Sequence, residues 1–177
     1  MTYLFWRQRA QNERLALQAQ SDRLLQQFFD LPFIGIAISS YVTKHWLKCN
    51  DHLCRILGYS REDMDKISWQ QMTHPGDLAA DNAEFERMMR GECDGYSLDK
   101  RFIRKDGSTV YTSLEVRCVR KADKVPEFIF ATVQDISERK QAEAKIERLT
   151  GIYAALSETN QAIARSSNQG LLFSQIC

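Results

Sequence analysis

The chain lacks the short signatures that mark most catalytic sites. There is no G-x-S-x-G, no phosphate-binding G-x-x-x-x-G-K, no G-x-G-x-x-G and no H-E-x-x-H in its 177 residues. It also lacks a charge excess: 24 basic and 23 acidic residues give a net charge of +1. With no long basic run, that balance argues against nucleic acid as a partner. The five cysteines, at 49, 54, 93, 118 and 177, are odd in number and form no C-x-x-C. Such usage predicts reduced thiols in a cytosolic setting, not a disulfide scaffold. No signal-peptide pattern opens the sequence. The apolar run Tyr3 to Trp6, followed by Arg7 and Arg9, is far shorter than the roughly 20 residues that span a bilayer. Two readings of it stay open: an aromatic helix start on a soluble protein, or the inner end of a membrane helix that has been removed, since aromatics followed by arginines suit the cytoplasmic interface.

What is present is a mixed α+β pattern. Residues 7–29 contain no Gly or Pro, place Leu17, Leu24 and Phe28 at helical spacing, and are stopped by Pro32. GIAIS (35–39) and HWLK (45–48) predict two short strands joined by SYVT. Asn50 or Asp51 can cap a helix over HLCRIL, closed by Gly58, and Ser60 with Asp63 forms a capping-box pattern for a second. Pro75 suits the first turn of a third helix, whose inner stripe is expected at Leu78, Asn82, Phe85 and Met89, with Gly91 as its stop. The pattern then turns to strands: Tyr96 to Arg104, an Asp106-Gly107 turn, an alternating run from Val110 to Arg120, and FIFATVQ at 128–134. Helix is predicted again from Ser137 to Ser166.

The stretch HWLKCNDHLC (45–54) gathers two of three histidines and two of five cysteines. A zinc ion needs its ligands about 2.0–2.3 Å from one point. His45 and Cys49 lie about 13 Å apart along an extended segment, and His52 and Cys54 point about 200° apart at a helix start. The expectation is therefore no metal, with both cysteines as small core residues and His52 on the first helical turn. His74 and Asp77, three apart in THPGD, are expected to be a helix cap and a dipole partner, not an acid–base pair.

Six stretches in order, LPFIGIAIS (31–39), WLKCND (46–51), LGYSREDM (57–64), W-x-x-x-THPGDL (69–78), RFIRKDGS (101–108) and QDISERKQAE (134–143), resemble the PAS domain family with its C-terminal PAC segment. The resemblance implies a PAS fold, α+β, with a five-stranded antiparallel sheet, short helices on one face, and flanking N- and C-terminal helices. It also implies a sensory or interaction module inside a larger signalling protein. In the family, the QDI-S-E-R-K type of stretch marks the exit from the last strand into an output helix. Asp135, Ile136, Ser137 and Arg139 occupy it here, with Ser137 placed to cap the helix and Asp135 to pair with a base such as Arg139.

Many family members enclose a small molecule between sheet and helices. The residues expected to face that space are Ile38, Cys49, Asn50, Trp69, Met72, Phe85, Met89, Phe102, Leu114 and Phe130, with Ile36, Cys54, Leu57 and Val116 beside them. The alternative is that they fill the core. The cofactor is unknown. The cysteine-bearing stretch of flavin-binding light sensors is missing, and residues 78–90 contain no histidine where haem-binding members carry one, so flavin and haem are not expected.

Beyond the sheet, Ile146, Leu149, Tyr153, Leu156, Asn160 and Ile163 are spaced 3, 4, 3, 4, 3, a heptad seam. A homodimer is expected, with Asn160 fixing register. An amphipathic helix packed on its own domain is the alternative. Residues 152–177 resemble the opening helix of GAF domains, which often follow PAS domains in cyclic-di-GMP enzymes and histidine kinases. The expected organisation is a juxtamembrane-like helix (1–24), a PAS/PAC domain (25–137), a coiled-coil signalling helix (138–165) and the start of a GAF domain (166–177). The expected function is a sensory module of a diguanylate cyclase, phosphodiesterase or histidine kinase type of protein. It would relay ligand or redox state to a downstream output domain, without being an enzyme itself. It would sit in the cytosolic part of a membrane-anchored protein. A ligand-free dimerisation or spacer module is the competing function.

Overall fold

The computed structural model describes the backbone of residues 2–174 and the side chains of residues 11 and 13–159. It divides into two units, residues 1–136 and 137–177. In the first, a helix α1 (Thr2–Phe29) leads into strands β1 (Gly35–Ser39) and β2 (Trp46–Cys49). Four helices follow, α2 (Asp51–Leu57), α3 (Arg61–Met64), α4 (Trp69–Met72) and α5 (Pro75–Met89). The chain then returns as β3 (Gly95–Ile103), β4 (Thr109–Arg120) and β5 (Pro126–Asp135). The second unit is α6 (Ser137–Ser174), unbroken at Gly151. The five strands form one antiparallel sheet in the order β2-β1-β5-β4-β3.

Local chemistry sets most of these boundaries. Asn50 caps α2, and Gly58 ends it in the left-handed region at φ 72°. Ser60 and Asp63 close a reciprocal capping box on α3. Ser68 and Gln71 make a second box that starts α4, a helix the sequence reading passed over. His74 Nδ1 accepts from the Gly76 N–H at the start of α5. Gly107, at φ 82°, makes the β3–β4 turn, where Arg104 N–H donates to Ser108 O at 2.7 Å.

The core lies between α2–α5 and one face of the sheet. That face carries Ala37, Phe102, Val110, Leu114, Val116, Ile129, Ala131 and Val133; the helices contribute Leu53, Leu57, Met64, Met72, Phe85 and Met88. Each large side chain so buried contributes about 1.5–3 kcal/mol. On α5 the inward stripe is Asp81, Phe85 and Met88. Met89, expected to point inward, is only half-buried, because the stripe starts one position earlier than Leu78 and Asn82 suggest. The phase shift has a physical cause: a buried carboxylate, Asp81, holds a position that an apolar pattern does not reveal.

Ile38 and Phe130 are corrected in the same way. They pair across β1 and β5 and face away from α2–α5, where with Ile36 they line a groove of about 500 Å³ shared with Leu25, Phe28 and Phe29 of α1. Large apolar side chains stand on the outer face of β1 and β5 as well, buried or half-buried, so apolar alternation does not tell inside from outside. The smaller neighbours Ala37 and Ala131 take the inner positions.

Candidate functional site: the inner face of the sheet

A polar cluster stands inside this apolar layer. Lys100, on the inner face of β3, meets Asp81 of α5 with Nζ to Oδ2 at 2.5 Å, and both side chains are 1% exposed. Lys100 Nζ also donates to Thr73 Oγ1 at 3.0 Å, and Tyr96 OH donates to Asp81 Oδ1 at 2.8 Å. The ammonium lies 4.1 Å from the ring centre of Phe102 and 5.2 Å from that of Trp69, within cation–π range. Burial pushes the Lys100 ammonium pKa down, and the Asp81 carboxylate opposes that shift. The Tyr96 phenol is pushed up, first by burial and then by the same carboxylate. The proximity of Lys100, Asp81 and Tyr96 thus holds one charge pair in an apolar layer, with each buried side-chain polar atom described there partnered.

The free space beside this cluster is about 20 Å³, and Trp69, Phe85, Phe102 and Leu114 line it together with Tyr96 and Lys100. A single water needs roughly 10–15 Å³, so the space is the size of one water. Met72 and Cys49 are buried in the surrounding core without bordering it. Asn50, expected at the pocket, faces elsewhere. Its Nδ2 donates to Phe29 O and Ile34 O, both at 2.9 Å, and to Leu31 O at 3.5 Å. Its Oδ1 accepts from Ile36 N–H at 3.0 Å and Leu53 N–H at 2.9 Å. All its hydrogen-bonding capacity is spent on backbone, which makes it a latch and leaves nothing for a ligand.

One turn earlier on α5, Asp77 holds Arg101 through Nε at 2.9 Å and Nη2 at 2.7 Å. The guanidinium beside it lowers the Asp77 carboxyl pKa. At the sheet's exit, Ile136 is buried, its N–H donates to Tyr111 O at 2.9 Å, and Asp135 accepts from Arg104 Nη2 at 3.3 Å. Ser137 opens α6, and Arg139 pairs with Glu143 on that helix at 3.7 Å. Ile146, Leu149, Tyr153 and Leu156 are 65%, 45%, 71% and 54% exposed. The side chains of Asn160 and Ile163, the aromatic start Tyr3 to Trp6, and residues 166–177 lie outside the described side chains.

The sheet order and the helices on one face find their counterpart in known proteins. The model of the PAS domain family matches residues 35–138. The chain belongs to the PAS family. Over 143 residues it is 32% identical to a probable diguanylate cyclase of Escherichia coli, covering 81% of this chain and 13% of that protein. It is 26% identical over 171 residues to a sensor histidine kinase of Ectopseudomonas mendocina, covering 93% and 17%. The PAS domain spans less than a fifth of either relative, and so resembles one module within larger signalling proteins. Its fold matches the crystal structure of the PAS domain of a Colwellia psychrerythraea protein, with a TM-score of 0.59 at 16% identity, covering 66% of this chain and 97% of that one. Residues 35–138 are a PAS sensor domain.

Among the described residues, no helix is long and apolar enough to cross a membrane, and no three His, Cys, Asp or Glu side chains gather as a metal site.

Proposed function

We propose that this PAS domain is the homodimeric relay of a larger cytoplasmic, membrane-anchored protein of the diguanylate cyclase, phosphodiesterase or histidine kinase type, with no enzymatic activity of its own. The observation that carries this reading is the exposed seam of α6. Four large apolar side chains at heptad spacing stand exposed, the pattern a two-stranded seam needs. Asp135, Ile136, Ser137 and Arg139 form the stretch through which a change in the sheet reaches that seam. The organisation expected from the sequence, with a juxtamembrane segment ahead of the domain and a further domain after residue 165, belongs to the same reading.

A space of about 20 Å³ supports a relay that works without a resident organic ligand. The partnered Lys100–Asp81 pair supports an electrostatic core in place of a cofactor pocket. Native mass spectrometry of the purified chain tests both points. The expected result is a dimer at micromolar concentration with no added mass. A monomer overturns the seam, and a retained small molecule overturns the ligand-free core.

A further inference from the structure

The turn between β2 and α2 brings two sulfurs together. Cys49 ends β2, Asn50 reverses the chain and caps the helix, and Cys54 sits on the second turn of α2. Their Sγ atoms lie 3.6 Å apart, one thiol donating to the other. Cys49 is buried and Cys54 half-buried. Arg61 braces the junction: Nη1 donates to Cys49 O at 2.8 Å, while Nε and Nη2 hold Asp51 Oδ1 at 3.0 and 2.7 Å.

We propose that Cys49 and Cys54 are a reversible dithiol–disulfide site, oxidised by low-molecular-weight disulfides, with Cys54 as the entry sulfur and Cys49 as the resolving sulfur. A disulfide needs its sulfurs at about 2.05 Å, so closure takes a shift of about 1.5 Å between groups already in contact. The accessible Cys54 thiolate attacks one sulfur of the small disulfide, whose S–S bond breaks and releases one small thiolate. Cys49 then gives up its proton and attacks Cys54 Sγ in the mixed disulfide, and the second small thiolate leaves. Two protein thiols are oxidised, one small disulfide is reduced to two thiols, and the two protons end on the leaving thiolates. Burial, then the neighbouring Cys54, pushes the Cys49 thiol up to about 12. It is therefore the protonated partner that waits for the first step, since only a thiolate attacks. The site needs residues 1–136 alone and stands whether or not α6 dimerises.

The test uses the full chain, equilibrated in glutathione buffers from fully reduced to fully oxidised, quenched in acid, alkylated and mapped by peptide mass spectrometry. The expected product is two hydrogens lighter, carries one link from Cys49 to Cys54, leaves Cys93, Cys118 and Cys177 alkylated, and is restored by dithiothreitol. Cys54→Ser is expected to lose the link and leave Cys49 without glutathione. Cys49→Ser is expected to hold glutathione on Cys54 as a stable mixed disulfide. Both thiols free at the most oxidising ratio, a stable glutathione adduct on wild-type Cys54, or a link to Cys93, Cys118 or Cys177 in its place overturns the proposal. The wild-type map decides the matter even where a variant fails to fold.

Discussion

The inner face of the sheet and the exit helix treat their residues in opposite ways. The sheet buries a lysine and an aspartate among apolar side chains and leaves room for about one water. The helix holds Ile146, Leu149, Tyr153 and Leu156 out in solvent. The first region is complete within one chain. The second has an apolar stripe and nothing described within its own unit to cover it. Stability is therefore expected to sit in the sheet layer and association in the helix, so variants in the two regions should separate the two properties.

The hardest way to break this contrast is Lys100→Met. It strands the Asp81 carboxylate in an apolar layer, and losing one partner of a buried pair costs about 3–5 kcal/mol. Urea unfolding should show that loss, and the double variant Lys100→Met with Asp81→Leu should recover most of it. A single-variant cost under about 1 kcal/mol would mean that the layer is wetter than described. Asn50→Ala comes next. It removes a cap worth about 1 kcal/mol and orphans buried carbonyl and amide groups at about 1–3 kcal/mol each, so thermal melting should fall by well over 5 °C.

Leu149→Lys with Leu156→Lys reverses the pattern. Chemical stability of the sheet domain should stay within about 0.5 kcal/mol of wild type, while the dimer dissociation constant measured by sedimentation rises at least tenfold. Equal losses in both properties would erase the distinction between the regions. Acid titration is expected to have the smallest effect. Asp63, held near 2 by its hydrogen bonds from Lys105 and Ser60, and Asp77, lowered by Arg101, both have folded values below the ordinary carboxylate range. Their contribution is fully present above about pH 4 and is lost as the pH falls through their folded values. Asp77→Asn should flatten that part of the acid unfolding curve by lowering stability at neutral pH toward its acid value, while leaving stability below the folded Asp77 value nearly unchanged.

Much of the fold was legible in the sequence because local rules fix it. The Asp106-Gly107 turn, the alternation of β4 and the caps at Asn50 and Ser60 each need only a few neighbouring residues. The two faces of β1 and β5 were not legible. Ile36 and Ile38, like Phe130, are larger than the alanines beside them, yet helix side chains fill the inner layer and leave only alanine-sized gaps. The Lys100–Asp81 pair was missed because charged residues are assigned to the surface by default. Two signals could have found it: Lys100 shares the parity of buried Phe102 on β3, and Asp81 lies four and seven residues before Phe85 and Met88. The close approach of Cys49 and Cys54 depends on the turn between them, which spacing along separate elements does not predict.

Asn50 carries a consequence for how the molecule ages. Its amide nitrogen points at three backbone carbonyls while its oxygen receives two N–H groups. Hydrolytic deamidation would change one group and almost nothing of the shape. The new carboxylate would still suit the two donors, but it would set an acceptor and a negative charge against three other acceptors. The end of α1, the start of β1 and the cap of α2 would all loosen from one chemical event, so the residue that fastens the domain is also the place where slow damage would open it.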